Sequence, residues 1–517
     1  MIRHIPELDF SRKIKTREQL IAAIGPRPRQ QKVIMCHGTF DLVHPGHVRH
    51  LLYAKAKADL LVASLTSDAH IMKGNYRPYV PQDLRAMNLA ALEAVDYVVI
   101  DNDPTPLANI RAIQPDYFAK GYEYTDGQIP LRTREEMDVL AEYGGEIIFT
   151  PGDIVFSSSK FIETTPPNIA NDKLHTLMES EGISFDDLRA AVRSFRGTPV
   201  HVLGDTIIDS YVYCQPISSG SAKSPTLAVS FESQIDYAGG AAVVAKHLRA
   251  AGAEVTFSTL LGDDAWKDFL LRDMQECGID CRPVIDATRC TTNKNVYIAK
   301  NHRLLKFDRV DNRPIQGRTL ESFSQEIAGS DADVFVFSDF HHGIFHRNSI
   351  NRLTAAIPAG RMRVADSQVA SRWGNILEFQ GFDLITPNER EARFALGDQD
   401  SVIRPLALDL YNKANCKTLI LKLGDRGTIT YRENSPQVRA FFTLDSFAKT
   451  VVDPVGAGDA LLAYATLSLA RKYSPVVASI IGSIAAGQAC AADGNCPVEP
   501  EGILERIDQL EKEVQYA

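Results

Sequence analysis

Tryptophan and cysteine are scarce, with two and eight respectively in 517 residues. No CxxC pair occurs among the cysteines, which argues against both a disulfide framework and a zinc ribbon. Cys277, Cys281 and Cys290 cluster, but no fourth ligand follows at a spacing that fits a common structural zinc site, so small buried side chains are the expectation. An excess of positive charge is also lacking: the formal net charge is −9, which gives no general attraction to a polyanion, and nucleic acid is not an expected partner. No run of about 18 apolar residues exists, and Met1 to Lys15 carries scattered charges where a signal peptide would not. A cytoplasmic protein without membrane contact is expected. No short-period repeat is present, which disfavours a solenoid.

What is present describes a globular chain, with 44% hydrophobic and 23% charged residues. The length exceeds that of a single ordinary core, so two or three domains are expected. Short apolar runs at Val33–Cys36, Leu60–Leu65, Tyr97–Ile100, Tyr117–Ala119 and Glu146–Phe149 read as buried strands, with helices at His47–Lys57 and Asp83–Ala94. This alternation predicts a parallel, doubly wound sheet. Pro166-Pro167 breaks the pattern. The expected division is a first domain over 1–165, a linker over 166–196 containing a polar helix from about Asp172 to Arg196, and a second α/β domain over 197–517. The second series has strands near Val200–Leu203, Val255–Ser258, Val334–Phe337, Arg363–Ala365, Leu384–Thr386 and Leu419–Lys422, and its length leaves room for a small lid.

The first chemical constellation runs from Cys36 to His47, closing a strand and opening a helix, with His44 and His47 separated by Pro45-Gly46. Taken alone, His44 could cap the turn and His47 could lie on a helix surface. The same turn can also aim two imidazoles and the helix N-terminal amides at one anion, stabilising charge on a transferring phosphoryl group. Gly38-Thr39-Phe40-Asp41-Leu42 followed by His44-Pro45-Gly46-His47 resembles the HxGH motif of the cytidylyltransferase-like nucleotidyltransferases, which act by in-line attack on a nucleotide α-phosphate. The resemblance extends to about residue 163. It implies that Gly38, Thr39 and Phe40 line the nucleotide, that His44, His47 and Lys73 are catalytic, and that Arg77, Arg85, Lys120, Ser157, Ser158 and Ser159 contact nucleotide or phosphates. Without it, Lys73 and Arg77 would be ordinary loop charges. Leu92 to Val99 and Lys120 to Tyr124 are similar to the adenylyltransferase half of bifunctional ADP-heptose synthases, although Tyr122 and Glu123 replace the second glycine and the aspartate of that family's Gly-Gly-Asp, which leaves base and sugar open. Gly152 stands where glycerol-phosphate cytidylyltransferases have arginine, which leans toward the heptose-like branch.

The second constellation is Asp453-Pro454-Val455-Gly456-Ala457-Gly458-Asp459, just ahead of a helix. Its small residues let backbone amides approach a phosphate, and Asp459 is placed to take a proton from an attacking hydroxyl; alone, the tetrapeptide Gly-Ala-Gly-Asp is as well explained as a helix cap. Gly239-Gly240-Ala241-Ala242, the NxxE pattern from Asn388 to Glu391, and Leu423-Gly424-Asp425-Arg426-Gly427 occur in the order that resembles the ribokinase family of carbohydrate kinases, over nearly all of 197–517. That resemblance implies a ribokinase-like α/β kinase following the Rossmann-like transferase. Asp459 would be the base, Gly456, Ala457 and Gly458 the anion hole, Gly424 and Gly427 the ATP-site turn, and Asn388 and Glu391 the holders of Mg²⁺ through water. Asp205 and Asp209, with Gly239 and Gly240, would contact the sugar.

The same half most resembles the kinase of bifunctional ADP-heptose synthases, with departures. Val243 replaces an asparagine, and His342 and Gln368 replace lysines. The order of the two domains is also the reverse of that family's usual order. The implied activity is anomeric phosphorylation of a sugar or sugar phosphate by ATP, followed by transfer to a nucleotide from ATP or CTP with release of pyrophosphate. Mg²⁺ is the expected cofactor and a homo-oligomer the expected assembly. The alternative is an active transferase carrying a kinase-like domain that binds sugar or nucleotide and regulates or dimerises it.

Overall fold

The computed structural model describes residues 10–71, 77–121, 131–150, 170–217, 228–300, 302–368, 374–433, 440–492, 494 and 496–515. The chain divides into two compact units, Met1–Thr176 and Leu177–Ala517.

In the first unit, strands β1 (Ile14–Lys15), β2 (Val33–Gly38), β3 (Leu60–Thr66), β4 (Tyr97–Asp101), β5 (Tyr117–Gly121) and β6 (Glu146–Thr150) form one sheet in the order β1-β4-β3-β2-β5-β6. Every pairing in it is parallel. The apolar strand interiors explain this: Val33, Ile34, Met35 and Cys36 are all buried, as expected of a strand covered on both faces. The chain builds leftward from β2 and then returns to its other side at β5. The topological switch, and with it the crevice for a ligand, therefore lies at the carboxyl ends of β2 and β5.

The second unit has a nine-stranded sheet of β7 (Pro199–Gly204), β10 (Glu254–Leu261), β11 (Asp280–Ile285), β14 (Val334–Asp339), β15 (Met362–Ser367), β16 (Leu384–Ile385), β17 (Thr418–Lys422), β18 (Thr428–Arg432) and β19 (Phe441–Leu444). The order is β11-β10-β7-β14-β15-β16-β17-β18-β19, parallel as far as β17 and antiparallel after it. A separate small sheet, in the order β13-β12-β8-β9, comprises β8 (Thr206–Pro216), β9 (Val229–Gly240), β12 (Asn293–Ala299) and β13 (His302–Arg309), and supplies the lid. One aromatic cluster anchors the large sheet, with Phe337 set against Phe345, Phe379 and Phe382 at ring-centroid distances of 5.3, 6.3 and 5.7 Å.

Two expectations change. The helix expected over Asp83–Ala94 runs from Gln82 to Ala90. The segment read as a linker holds two helices, Ala170–Ser180 and Phe185–Arg193, and the unit boundary falls at Thr176/Leu177. The second helix belongs to the second unit because Leu188, Ala191 and Val192 give it an apolar face, and Arg189 bonds Asp508 at 2.8 Å and also pairs with Glu511 on the C-terminal helix.

Candidate active sites

In the first unit, the helix Pro45–Lys55 begins with His44 as its cap. The amide of Gly46 donates to His44 Nδ1 at 3.1 Å, which leaves the hydrogen of the neutral ring on Nε2. His47 is the opposite case. Its Nδ1 lies 3.2 Å from the carbonyl of Leu42, and a carbonyl can only accept, so Nδ1 carries the hydrogen and Nε2 is bare while the ring is neutral. The two rings stack with centroids 3.9 Å apart. Burial, the neighbouring His44 and more weakly His50 push the basicity of His47 down to about 4, against a small opposing contribution from its bond to Leu42. Burial lowers His44 as well. Phe40, with φ of 47°, packs against His47 at 5.1 Å. Asp41 organises the facing loop by accepting from the amides of Tyr79 and Val80 at 3.0 and 2.8 Å, and it lies 3.8 Å from Arg77.

Arg85, expected on the phosphates, is instead fully buried. Its guanidinium donates to the carbonyls of Val80 at 2.9 Å and Thr66 at 3.0 Å, and also to the Thr39 carbonyl and the Asp68 carboxylate. With those donors engaged, it braces the two loops that follow β2 and β3. Arg85→Met should therefore destabilise the first unit by about 3–5 kcal/mol, because it strands a carboxylate and several carbonyls. Chemical denaturation followed by circular dichroism measures this, with the nucleotide affinity of the remaining folded fraction little altered. Lys120 donates to Thr133 Oγ1 at 2.9 Å and pairs with Glu136. Lys73, Ser157, Ser158 and Ser159 lie outside the described residues, as do Tyr122, Glu123 and Gly152.

In the second unit, the helix Ala457–Ala470 has Gly456 as its cap, with φ of 81°, and carries Asp459 in its first turn. First-turn amides have no intrahelical acceptor, so this end is preset for an anion. Asp459 is half-buried, and its carboxyl is raised to about 7 by burial and by the charge of Asp366, with Lys422 opposing and Glu391 adding a smaller push. A group that titrates near neutrality in this position fits proton abstraction from a hydroxyl. Asn388 and Glu391 cap the helix Glu389–Leu396: the Asn388 amide and its side-chain Nδ2 donate to the two Glu391 oxygens, each at 2.7 Å. Burial raises Glu391 above the usual carboxylate range, with Lys422 opposing. Gly424, with φ of 66°, and Gly427 shape the β17–β18 turn; a Cβ on Gly427 would lie 1.9 Å from the Leu444 carbonyl, so this glycine is also required by the packing of β19.

Of the residues expected to contact the sugar, Asp205 follows β7, at the switch point of the large sheet. Its carboxylate accepts from the amides of Phe340, His342 and Ile344 at 3.0, 3.2 and 3.4 Å, and so fixes the turn after β14. Burial, with Asp339 nearby, raises its carboxyl well above the ordinary value. Asp209 stands on the lid strand β8, in register with Lys294 on β12, which is itself in register with Asp308 on β13. Gly239 faces it, and a Cβ there would come within 2.2 Å of Asp209 Oδ2. His342 Nδ1 bonds Asn312 Oδ1 at 2.9 Å, while the Gln368 amide donates to the Asp339 carbonyl at 3.0 Å. Val243 is buried within the helix Ala241–Ala250.

Three residues at these edges were not singled out from the sequence. Asp366 is the penultimate residue of β15, Lys422 ends β17, and Lys294 lies in the lid. Lys422 Nζ bonds Asp366 Oδ1 at 3.1 Å, and Thr386 Oγ1 donates to the same oxygen at 3.0 Å. The available signal was a lysine closing the apolar run Leu419–Leu421 immediately before a Gly-containing turn.

Residues 35–164 match the family described as cytidylyltransferase-like, and residues 198–498 match the pfkB family carbohydrate kinases. The bifunctional protein HldE of Caulobacter sp. (strain K31) is 31% identical over 327 residues, covering 62% of this chain and 64% of that protein. The bifunctional protein HldE of Pelobacter propionicus is 39% identical over 142 residues, covering 27% of this chain and 28% of that one. The chain thus spans less than two thirds of the length of these relatives. Phosphofructokinase-2 from Escherichia coli, solved in complex with potassium, shares the fold at 16% identity with a TM-score of 0.51 over 61% of this chain and 99% of that structure. No helix among the described residues is long and apolar enough to cross a membrane. The kinase match alone covers more than half of the sequence, and the chain therefore belongs to the pfkB family of carbohydrate kinases, with a cytidylyltransferase-like domain ahead of the kinase fold.

Proposed function

We propose that the chain is a bifunctional enzyme that phosphorylates the anomeric hydroxyl of a sugar or sugar phosphate and then joins the product to a nucleotide. In the kinase, the sugar oxygen attacks the γ-phosphorus of ATP, its proton passes to Asp459, and the bond to the ADP oxygen breaks. In the transferase, an oxygen of the sugar 1-phosphate attacks the α-phosphorus of ATP or CTP, and pyrophosphate leaves while His44 and His47 stabilise the charge. Asp459 at an anion-binding helix N-terminus, with its carboxyl raised to about 7, is the observation that carries this reading, because a pure binding module needs no base tuned to neutrality.

Mg²⁺ suits these residues. The described residues hold no cluster of three or more ligand side chains, and Mg²⁺ needs none: it binds through one or two carboxylates plus substrate phosphates and keeps several waters. Glu391 would hold it through water, and when bound it neutralises polyphosphate charge. Lys294 and Lys422 bring positive charge to a site where His342 and Gln368 replace the lysines of the heptose enzymes, which favours a working kinase on an acceptor related to heptose 7-phosphate. Pairing through the lid, whose Ile235, Tyr237, Leu305 and Phe307 are exposed, fits a homo-oligomer. The test is a panel of sugars and sugar phosphates with ATP, CTP and Mg²⁺, following ADP and pyrophosphate separately. ADP release that depends on one sugar supports the reading, and its absence on every acceptor leaves a transferase with a regulatory kinase-like domain.

A further inference from the structure

At the carboxyl edge of the large sheet, three carboxylates lie within electrostatic reach of one lysine beside the anion-binding helix. Asp366 comes from β15, Glu391 from the helix Glu389–Leu396 and Asp459 from the helix Ala457–Ala470; each acts electrostatically on the Lys422 ammonium. Uncompensated, they would repel ATP. Lys422 is the cation set among them, with its side chain 16% exposed and that of Asp366 5% exposed.

Its position is fixed from both ends. The backbone amide of Lys422 donates to the Pro387 carbonyl at 2.8 Å and the residue bridges to Asn388, so the lysine is tied to the start of the NxxE segment. At the other end, Nζ lies 3.1 Å from Asp366 Oδ1, and a Cβ on Gly458 would sit 3.2 Å from it. Gly458 thus leaves open the contact between the ammonium and the first turn of the anion-binding helix. An ammonium has three donors and Asp366 takes one, so donors remain for a phosphoryl oxygen lying over Gly458. A purely structural ion pair with Asp366 would not require the lysine to reach that helix.

We infer that Lys422 is a catalytic cation of the kinase site, meeting the phosphoryl group in transit over Gly458 while Asp366 holds the ammonium in place. Such a donor acts most strongly on the charge that is developing in the transition state.

The inference rests on the kinase reading, and binding of ADP with aluminium fluoride and Mg²⁺ tests it without any sugar acceptor. Calorimetry on the full chain would compare the wild type with Lys422→Met and Lys422→Arg, taking the part of the signal that depends on aluminium fluoride. Lys422→Met should weaken the ADP–aluminium fluoride complex by about 100-fold while changing ADP affinity less than about 3-fold, and Lys422→Arg should recover most of the loss. Wild-type-like binding of both ligands by Lys422→Met would overturn the assignment. So would equal weakening of both ligands in both variants, or failure of the wild type to gain affinity from aluminium fluoride. Absence of turnover on every sugar would sink the kinase reaction instead and leave this comparison decisive for Lys422.

Discussion

Replacing Asp459 with asparagine is expected to lower sugar-dependent release of ADP by about 10²–10⁴-fold, the range for removal of a general base. Pyrophosphate release from a supplied sugar 1-phosphate should be unchanged, because that chemistry belongs to the first unit. In the wild type, the kinase rate should fall about tenfold per pH unit below about 7, because the carboxyl of Asp459, raised by burial and Asp366, must be ionised to accept the proton. The same shift has a stability consequence of definite sign. A carboxyl at 3.8 in the unfolded chain and about 7 in the folded one is protonated longer in the folded state, so its contribution to stability declines as the pH rises through that window. Asp459→Asn removes this decline. Thermal melts at pH 5 and pH 8 should show the variant gaining on the wild type at the higher pH, and a stability difference that stays constant or moves against the variant between the two pH values would count against the assignment.

The second large effect concerns His47. His47→Asn should reduce pyrophosphate release by about 10²–10³-fold, as for loss of one charge-stabilising donor, and leave sugar-dependent ADP release intact. The geometry adds a sign. With Nδ1 committed to the Leu42 carbonyl, Nε2 can donate to a phosphate only when the ring is protonated. Burial holds the empty-site value near 4, so binding a triphosphate must raise it and take up a proton. Nucleotide affinity at the first site should therefore increase as the pH falls from 8 to 6, and His47→Asn should flatten that slope. His44, which accepts from Gly46 and keeps its hydrogen on Nε2, needs no such uptake. Calorimetry in buffers of different ionisation enthalpy separates the two: zero proton uptake by the wild type would contradict the tautomer assignment.

Much of this was legible in the sequence. Apolar strands such as Val334–Phe337 declare themselves because both faces of a central parallel strand are buried. The lid was harder to place. β13 is almost wholly exposed, so its residues carry no burial pattern, and β12 and β13 are held by cross-strand pairs such as Lys294 with Asp308. The side to which the polar connector packs was not legible because Phe185–Arg193 is polar outside a narrow apolar stripe, and its partner, the C-terminal helix, lies more than 300 residues on, as the Arg189–Asp508 separation of 319 shows. Among the candidate site residues, those in motifs are proposed from their order in the chain, whereas Lys422 and Asp366 meet through proximity between strands β17 and β15, which no local spacing reveals. Arg85 shows the reverse error. The family resemblance implied a phosphate contact, and only its inward carbonyl partners reveal a brace.

The proposed function requires two reactions to run in sequence on one chain. Phosphorus NMR of the full chain with Mg²⁺, ATP, CTP and the acceptor identified by the sugar panel tests it most directly. A sugar 1-phosphate resonance should appear first and give way to the paired resonances of a nucleotide diphosphate sugar. His47→Asn should stop at the first species and Asp459→Asn before it. Conversion of supplied sugar 1-phosphates with no phosphorylation of any free acceptor would contradict the account and leave the second domain without catalysis.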